Sequence, residues 1–575
     1  MRLERIIIKN FRSIKHLDFT FPESNLLILV GPNNAGKSNI MRAINNILGL
    51  EWWTNNKIEQ YDYYARNKQN EIFISLIFDN GEQMSLEFDT GKEEYVLRHG
   101  RVGYRCGYLS KDDKSRYPCT YIAADRSFDR HMSFHDWTLL GQIRKTFHQR
   151  ADNIAAQLEE KFKEIVALFD QVAGFPEFKQ NLSRYFDEMQ GDMPIKVAVD
   201  FKPFTPTNYF KTMQILAMDP AQGDKDIDPA ELGEGTRNLL ILALLRSYAV
   251  TLRQSGEQLS GILAVEEPEI YLHPQAQRNL FRILREIADS GIQVIISTHS
   301  SHFVDTEFFD SIGLVRKVDD DEIKGCQHTT LTLVTKQDLL EHCHATGVPE
   351  NKATLDNITE YYKSTSNFRL NEAFFARFVI LVEGETEELA LPEYLAAAGL
   401  DCDRRGVSVI AVQGKNQIPK YWRLFSKFGI PMIVVFDNDD DGVDSKGNSN
   451  AKRKSNINLA KCFGLSLEQI LHTKTWDKTE SKREPKTILV ILSKDFETAV
   501  KKDYESRIVG YNYLSFDDME KEAVDLIKPV SRNQAKGLIA RYIARRIHTF
   551  MPEYAPEFVH YIAGIINEQL KLQYT

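Results

Sequence analysis

Residues 26–48 read LLILV, then GPNNAGKS, then NIMRAINNIL, and no other stretch constrains the fold so tightly. Five successive apolar residues suit a strand buried on both faces, as in a parallel sheet covered by helices. The next eight satisfy G-x-x-x-x-G-K-S, and the ten after them have helical spacing, so strand, loop and helix follow in a fixed order. In that setting Gly31 and Gly36 let backbone N–H groups curl around phosphate oxygens. Lys37 places a point charge near the terminal phosphates, Ser38 can ligate Mg2+, and Asn33, Asn34 and Asn39 complete the loop and its first helical turn. A nucleotide site in an α/β domain follows.

The rest of that site comes much later in the chain. ILAVEEPE is a buried strand that delivers Glu266 and Glu267 at its C-terminal end, where open α/β sheets bind ligands. One acidic side chain can hold the Mg2+ shell while the other, Glu267, orients attacking water. VIISTHS sets His299 at the tip of another strand. A lone strand-end histidine is commonly structural, but in this order it reads as a sensor of the terminal phosphate. LGEGTRN, Leu232 to Asn238, places Gly233 and Gly235 before a helix, either as an anion nest or as a simple helix start.

Between these parts, EIFISLIFD and QMSLEF alternate as antiparallel strands over about residues 70–100. Ile154, Leu158, Phe162, Ile165, Phe169 and Val172 keep one apolar stripe on a helix, which packs on its own domain or pairs two copies. Roughly 317–370 is polar and reads as a partly structured connector.

The ordered set NFRS, GPNNAGKS, a GxG segment, EEPE and STHS resembles the ABC-type ATPase heads of the SMC-like group. The resemblance implies ATP as cofactor, Arg12 near the nucleotide, and a dimer in which one GxG segment closes over the partner's ATP. The signature departs from the group's Ser-Gly-Gly in having Gly233-Glu234-Gly235, and the group's Q-loop glutamine is not fixed among Gln60, Gln69 and Gln83.

VVFDNDDDG, residues 434–442, sets a second problem: crowded carboxylates need neutralising. The run fits the start of a calcium loop, but its twelfth position is Asn448 and a strand precedes it, which argues against calcium. Upstream, RFVILV ends in Glu383-Gly384-Glu385-Thr386-Glu387-Glu388. Two parallel strands that both end in carboxylates gather them on one sheet edge, where hard oxygen ligands favour Mg2+ or Mn2+. Two such ions can activate water and steady the leaving oxygen of a phosphodiester.

EGETE after one strand and DND after a later one resemble the Toprim domain of topoisomerases, primases and certain nucleases. Glu383, Asp437 and Asp439 match its acidic positions, and Glu387 matches the further glutamate of the nuclease branch. An SMC-like ATPase followed by Toprim is the arrangement of the OLD (overcoming lysogenization defect) family. That resemblance implies Glu497, and less directly Ser493 and Asp495, as further metal ligands in ILSKDFETAV. It also implies Lys536 as the cation that steadies phosphate charge, and it sets Gly414 and Lys415 at a turn between the acidic strands.

The fold class expected is α/β: an ABC-type ATPase head with a helical dimerisation insert, followed by a Rossmann-like Toprim domain. The divisions are 1–145 and 196–365 for the ATPase, 146–195 for the insert and 366–575 for Toprim. The activity expected is a metal-dependent DNA endonuclease or nickase governed by an ATPase dimer or higher homo-oligomer, acting in antiphage or mobile-element defence with scope for a dedicated partner. The alternative is an ATP-dependent DNA clamp or sensor that does not cut.

Composition bounds these readings. With 575 residues, 42% hydrophobic and 27% charged, the chain is long enough for several soluble domains. It contains neither a secretory h-region nor a membrane-length apolar run, which points to a cytoplasmic protein without membrane partners. Six dispersed cysteines lack zinc or redox spacing and read as reduced thiols. A net charge of -9 argues against coating nucleic acid by global charge. Ser445 to Lys486, however, holds ten Lys/Arg against four Asp/Glu, and Lys528 to His548 holds six against none, so phosphate could be guided locally. Trp476 lies in the first of these segments, either packed or stacked on a base.

Overall fold

The computed structural model describes residues 2–123, 154–190 and 261–572, with breaks at 50–51, 54, 56–57, 170, 271, 364–367, 444–448, 473 and 529–534, and isolated positions between 217 and 247. β1 (Leu3–Phe11) and β2 (Ile14–Thr20) make an antiparallel hairpin. β3 (Leu26–Val30), buried at every residue, runs through the glycine loop into α1 (Lys37–Leu48). β4 (Phe73–Phe78), β5 (Glu82–Asp89), β6 (Glu94–Arg101) and the short β7 (Gly107–Tyr108) extend the hairpin into an antiparallel sheet of order β2-β1-β4-β5-β6-β7. The alternation read over residues 70–100 is the cause: Ile74, Leu76, Met84 and Leu86 line its core face.

β8 (Cys119–Ile122) leads towards α2 (Ala155–Phe169) and α3 (Phe175–Gln190), on and beside which Ile165, Leu168, Val172 and Phe178 are exposed. A small hairpin, β9 (Ala217–Asp219) with β10 (Lys225–Ile227), follows. β11 (Ile262–Glu266), α4 (Pro274–Asp289), β12 (Gln293–Ser297), β13 (Ile312–Asp319) and β14 (Gln327–Leu333) complete a second sheet, of order β14-β13-β3-β12-β11-β8. It is parallel except for edge strand β14.

That edge corrects one expectation. The polar stretch read as a connector supplies the end of β13 and all of β14, and then α5 (Lys336–Ala345), which buries Leu339, Leu340 and Cys343. QHTTLTL is threonine-rich because an edge strand meets solvent on one side, so composition hides it.

The third sheet begins with β15 (Phe378–Val382) and α6 (Glu385–Ala397), then β16 (Val407–Ala411), α7 (Ile418–Lys427), β17 (Met432–Asp437) and α8 (Ala451–Phe463). β18 (Trp476–Glu480) and β19 (Ile488–Leu492) finish it in the order β16-β15-β17-β19-β18, with only β18 antiparallel. Helices α9 (Phe496–Arg507), α10 (Phe516–Ile527), α11 (Lys536–His548) and α12 (Glu557–Leu572) cover one face.

The second and third sheets share one apolar core, which runs from Leu26, Ile28 and Val30 through Phe374 and Trp422 to Val434 and Ile491. Arginines cross the junction and donate to backbone carbonyls: Arg316 to Ala376 (3.2 Å), Arg423 to Thr346 (3.0 Å) and Arg483 to Ala345. A short segment spans from one site to the other. The Asn371 amide donates to the carbonyls of Ser301 (3.3 Å) and Val304 (2.7 Å), just past His299, while Arg369 pairs with Glu388 on α6 at 2.8 Å. Among the described residues no helix is long and apolar enough to cross a membrane. All six cysteines are free thiols.

Candidate functional site

The first cluster forms where β3 and β11 end. Gly31 has φ 139°, and a Cβ there would lie 2.1 Å from the carbonyl oxygen of Val315 on β13, so only glycine fits. Gly36 (φ 111°) enters α1 in the left-handed region, leaving the first-turn N–H groups at Lys37 and Ser38 without helical acceptors. Asn33 and Asn34 stand exposed at the loop tip. Lys37 Nζ donates to the carbonyls of Gly31 (2.8 Å) and Pro32 (3.1 Å) and lies 3.5 Å from His299 Nδ1. Burial lowers the Lys37 pKa to about 8, with Glu267 and Glu269 opposing. Burial and then Lys37 lower that of His299 to about 4, so its imidazole is neutral and able to accept a hydrogen bond.

Glu266 is buried at the end of β11, and Glu267 follows in the strained left-handed region (φ 43°), 3.7 Å from His299 Nε2. Glu269 was missed as a functional position. Its Oε1 accepts the His299 N–H at 2.6 Å and fixes the loop that carries His299, a contact that only the folded EEPE turn reveals.

Two assigned nucleotide residues face protein instead. Asn39 donates to Ser13 Oγ (2.8 Å), which bonds Thr329 Oγ1 (2.7 Å), whose hydroxyl donates to the Ala35 carbonyl (2.8 Å), so Asn39 braces the loop from behind. Arg12 pairs with Asp62 at 2.9 Å beneath the Tyr61 ring. Gly233 is exposed, and Gly235 lies outside the described residues.

The second cluster forms at the carboxyl edge of the third sheet. β15 and β17 are direct parallel neighbours, with Val382 opposite Val435, so Glu383 and Asp437 emerge side by side. Glu387, one turn into α6, is 5% exposed and its Oε2 accepts the Gly384 N–H at 3.2 Å. Burial raises the carboxyl pKa of Glu383, with Asp439 adding and Lys415 opposing. Burial, then Glu383 and Glu497, push Glu387 up to about 7. Burial, then Glu387, Glu383 and Asp439, hold Asp437 well above the carboxylate range.

Lys415 is the buried counter-charge. Its ammonium donates to Asp439 and to Asn456 Oδ1 (3.2 Å), and Lys452 takes the other Asp439 oxygen at 2.5 Å. The rest of the acidic run is absorbed locally. Asn438 donates to the carbonyls of Ile470 and His472 (both 3.2 Å), Asp440 pairs with Arg453 (2.7 Å), and Asp441 accepts the N–H groups of Lys452 and Arg453 at the start of α8. Asp495 caps α9 by accepting the Thr498 N–H at 2.7 Å, and the Ser493 N–H donates to Thr475 (3.0 Å). Glu497 and Lys536 line a common cavity of about 320 Å³. Trp476 packs on Phe558 and Tyr561.

Among the described residues Glu383 Oε2 and Asp437 Oδ1 are buried without a hydrogen-bond partner. Such oxygens, in a set that repels itself, fit a hard divalent cation held by Glu383, Glu387 and Asp437. Among the described residues no three donors already enclose an ion, and Asp439 is drawn onto Lys415 and Lys452.

Residues 26–305 match the family described as AAA domain, putative AbiEii toxin, Type IV TA system. Residues 374–439 match the one described as Overcoming lysogenization defect protein-like, TOPRIM domain. The OLD nuclease of Thermus scotoductus is 27% identical over 485 residues, 79% of this chain and 85% of its own. The Old nuclease of Escherichia phage P2 is 22% identical over 493 residues, covering 76% of this chain and 77% of its own. Endonuclease GajA of Bacillus cereus is 23% identical over 241 residues, 39% of this chain and 33% of its own. Among solved structures, the SMC head domain from Thermotoga maritima aligns at TM-score 0.28 and 18% identity, over 58% of this chain and 100% of that one.

Proposed function

Because the chain is a homologue of the OLD nucleases, an AAA-type ATPase domain joined to an OLD-like TOPRIM domain, we propose that it is a divalent-metal-dependent DNA endonuclease or nickase controlled by ATP. The observation that carries this reading is the adjacency of β15 and β17, which gathers Glu383, Glu387 and Asp437 with two orphaned carboxylate oxygens.

In this reading Glu383, Glu387, Asp437 and Glu497 hold Mg2+ or Mn2+, and Asp439 joins them by leaving Lys415 and Lys452. Bound ions of this kind supply water activation and charge neutralisation at the leaving oxygen. The chain's own residues do the rest. The apolar sheet edge keeps the carboxylates dry and strengthens their hold on cations. Lys415 fixes where Asp439 starts, and Lys536, exposed at the start of α11, meets the phosphate. At the other site, Gly31 to Ser38 with Glu266 takes ATP and Mg2+, and Glu267 with His299 answers to the terminal phosphate.

We assign residues 1–145 and 196–365 to the ATPase, 146–195 to a helical insert that pairs copies, and 366–575 to the Toprim nuclease. The exposed apolar residues of α2 and α3 support pairing. The same reading places the chain in antiphage or mobile-element defence in the cytoplasm, and the endonuclease GajA supports its cutting activity. Supercoiled plasmid incubated with Mg2+ or Mn2+, with and without ATP, tests the reading. Nicking or cutting that disappears in Asp437→Ala is expected, and equal cutting by that variant would remove the proposed centre.

A further inference from the structure

We propose that the cavity between α6, α9, α10 and α11 receives one unstacked nucleotide beside the phosphodiester being cut, so that locally unpaired DNA is the preferred substrate. This rests on the nuclease reading above and names its substrate class. Glu497 and Lys536, placed there at the metal and the phosphate, form part of the cavity wall, so whatever fills the cavity lies against the cleaved strand. At about 320 Å³ it sits at the small end of the ~300–1,000 Å³ range of ligand pockets and cannot admit a duplex. One nucleotide is the portion of a DNA strand that fits.

The chemistry of the lining supports a base. Phe496, Phe516, Ile539 and Ile543 give an apolar floor on which a flat ring can lie. Tyr394 is 1% exposed and lines the same space, and its hydroxyl has no hydrogen-bond partner among the described residues. The hydrogen-bonding edge of a base seated in the cavity would give that hydroxyl a partner in place of water. Lys536 forms no ion pair among the described residues and stands exposed, free to hold the phosphate of the extruded nucleotide. Extrusion is easiest where pairing is already absent, so a mismatch or single-stranded gap at the cut should be favoured.

The test uses the full chain. The cut is first mapped on end-labelled duplexes with Mg2+ or Mn2+, and 2-aminopurine is then placed at each nucleotide flanking it, with Ca2+ holding the complex uncut. A several-fold fluorescence rise at one flanking position is expected, with cutting at least ~10-fold faster when that position is mismatched. Ala540→Phe, which fills the cavity, should abolish the rise. Tyr394→Phe, which removes only the hydroxyl, should reduce both the rise and the mismatch preference and serves if Ala540→Phe does not fold. A cut without any rise, or a rise and preference unchanged in Tyr394→Phe, overturns the pocket alone. No cut in any DNA with any metal overturns the nuclease reading and the pocket with it.

Discussion

Lys415→Met tests how the acidic edge survives without a cation. Lys415 is 6% exposed and is the buried positive charge that faces Glu383, Asp437 and Asp439. Removing one partner of a buried ion pair costs about 3–5 kcal/mol, because the remaining charge is left uncompensated. Two features reduce that figure here. Asp439 keeps Lys452 at 2.5 Å, and its side chain is 23% exposed, so water shares the load. The net loss should be about 2–3 kcal/mol in EDTA. Methionine matches the length of the lysine stem, so packing around the turn Lys415–Gln417 before α7 contributes little to the change. Urea unfolding of the parent and the variant, followed by circular dichroism with EDTA and again with Mg2+, reads the effect directly. With Mg2+ most of the loss should disappear, since the ion replaces the missing charge. A loss under about 0.5 kcal/mol, or one of equal size in both buffers, would refute the reasoning.

Three further outcomes follow from the geometry. Asp437→Asn should slow cutting by about 10³-fold, the several kcal/mol supplied by a metal centre, and should raise the melting midpoint in EDTA by removing one desolvated carboxylate; cutting within ten-fold of the parent would exclude Asp437 from the centre. Lys37→Ala should weaken ATP binding by roughly 30–100-fold, the 2–3 kcal/mol of charge-assisted bonds, as read by fluorescent-nucleotide titration, with the melting of the rest of the chain unchanged. Arg369→Ala and Asn371→Ala should each reduce the effect of ATP on cutting about five-fold or more while nucleotide-free cutting stays within two-fold, measured on plasmid with and without ATP.

Much of the architecture is legible in the sequence where the signal is local. The apolar run of β3, its glycines and the helix after it are contiguous, and so are RFVILV-EGETE and MIVVF-DND, so each strand carries its own chemistry at its tip. That β15 and β17 lie side by side is less local, yet the need to relieve shared repulsion already implies it. What escapes is long-range pairing. Lys415 and Lys452 meet Asp439 from a turn and a helix on either side of β17, Asn456 of that helix accepts from Lys415, and no periodicity marks them. Asp495 and Asp441 look like ligands in a sequence, but each serves a helix start, a use set by backbone geometry. Asn39 sits beside a phosphate loop and yet turns to Ser13, because β14 brings Thr329 behind the loop. The Tyr394 cavity is assembled from four helices between residues 385 and 548 and leaves no trace in any one of them.

The uninterrupted apolar core from Leu26 to Ile491 limits how ATP can be felt at the nuclease edge. Swinging one half of the chain away from the other would wet dozens of packed side chains at once, far beyond what a single nucleotide's differential affinity can drive. Each protomer must therefore move as a welded block, and the message has to travel either through small switches such as Arg369 and Asn371 or through the way two blocks meet around DNA.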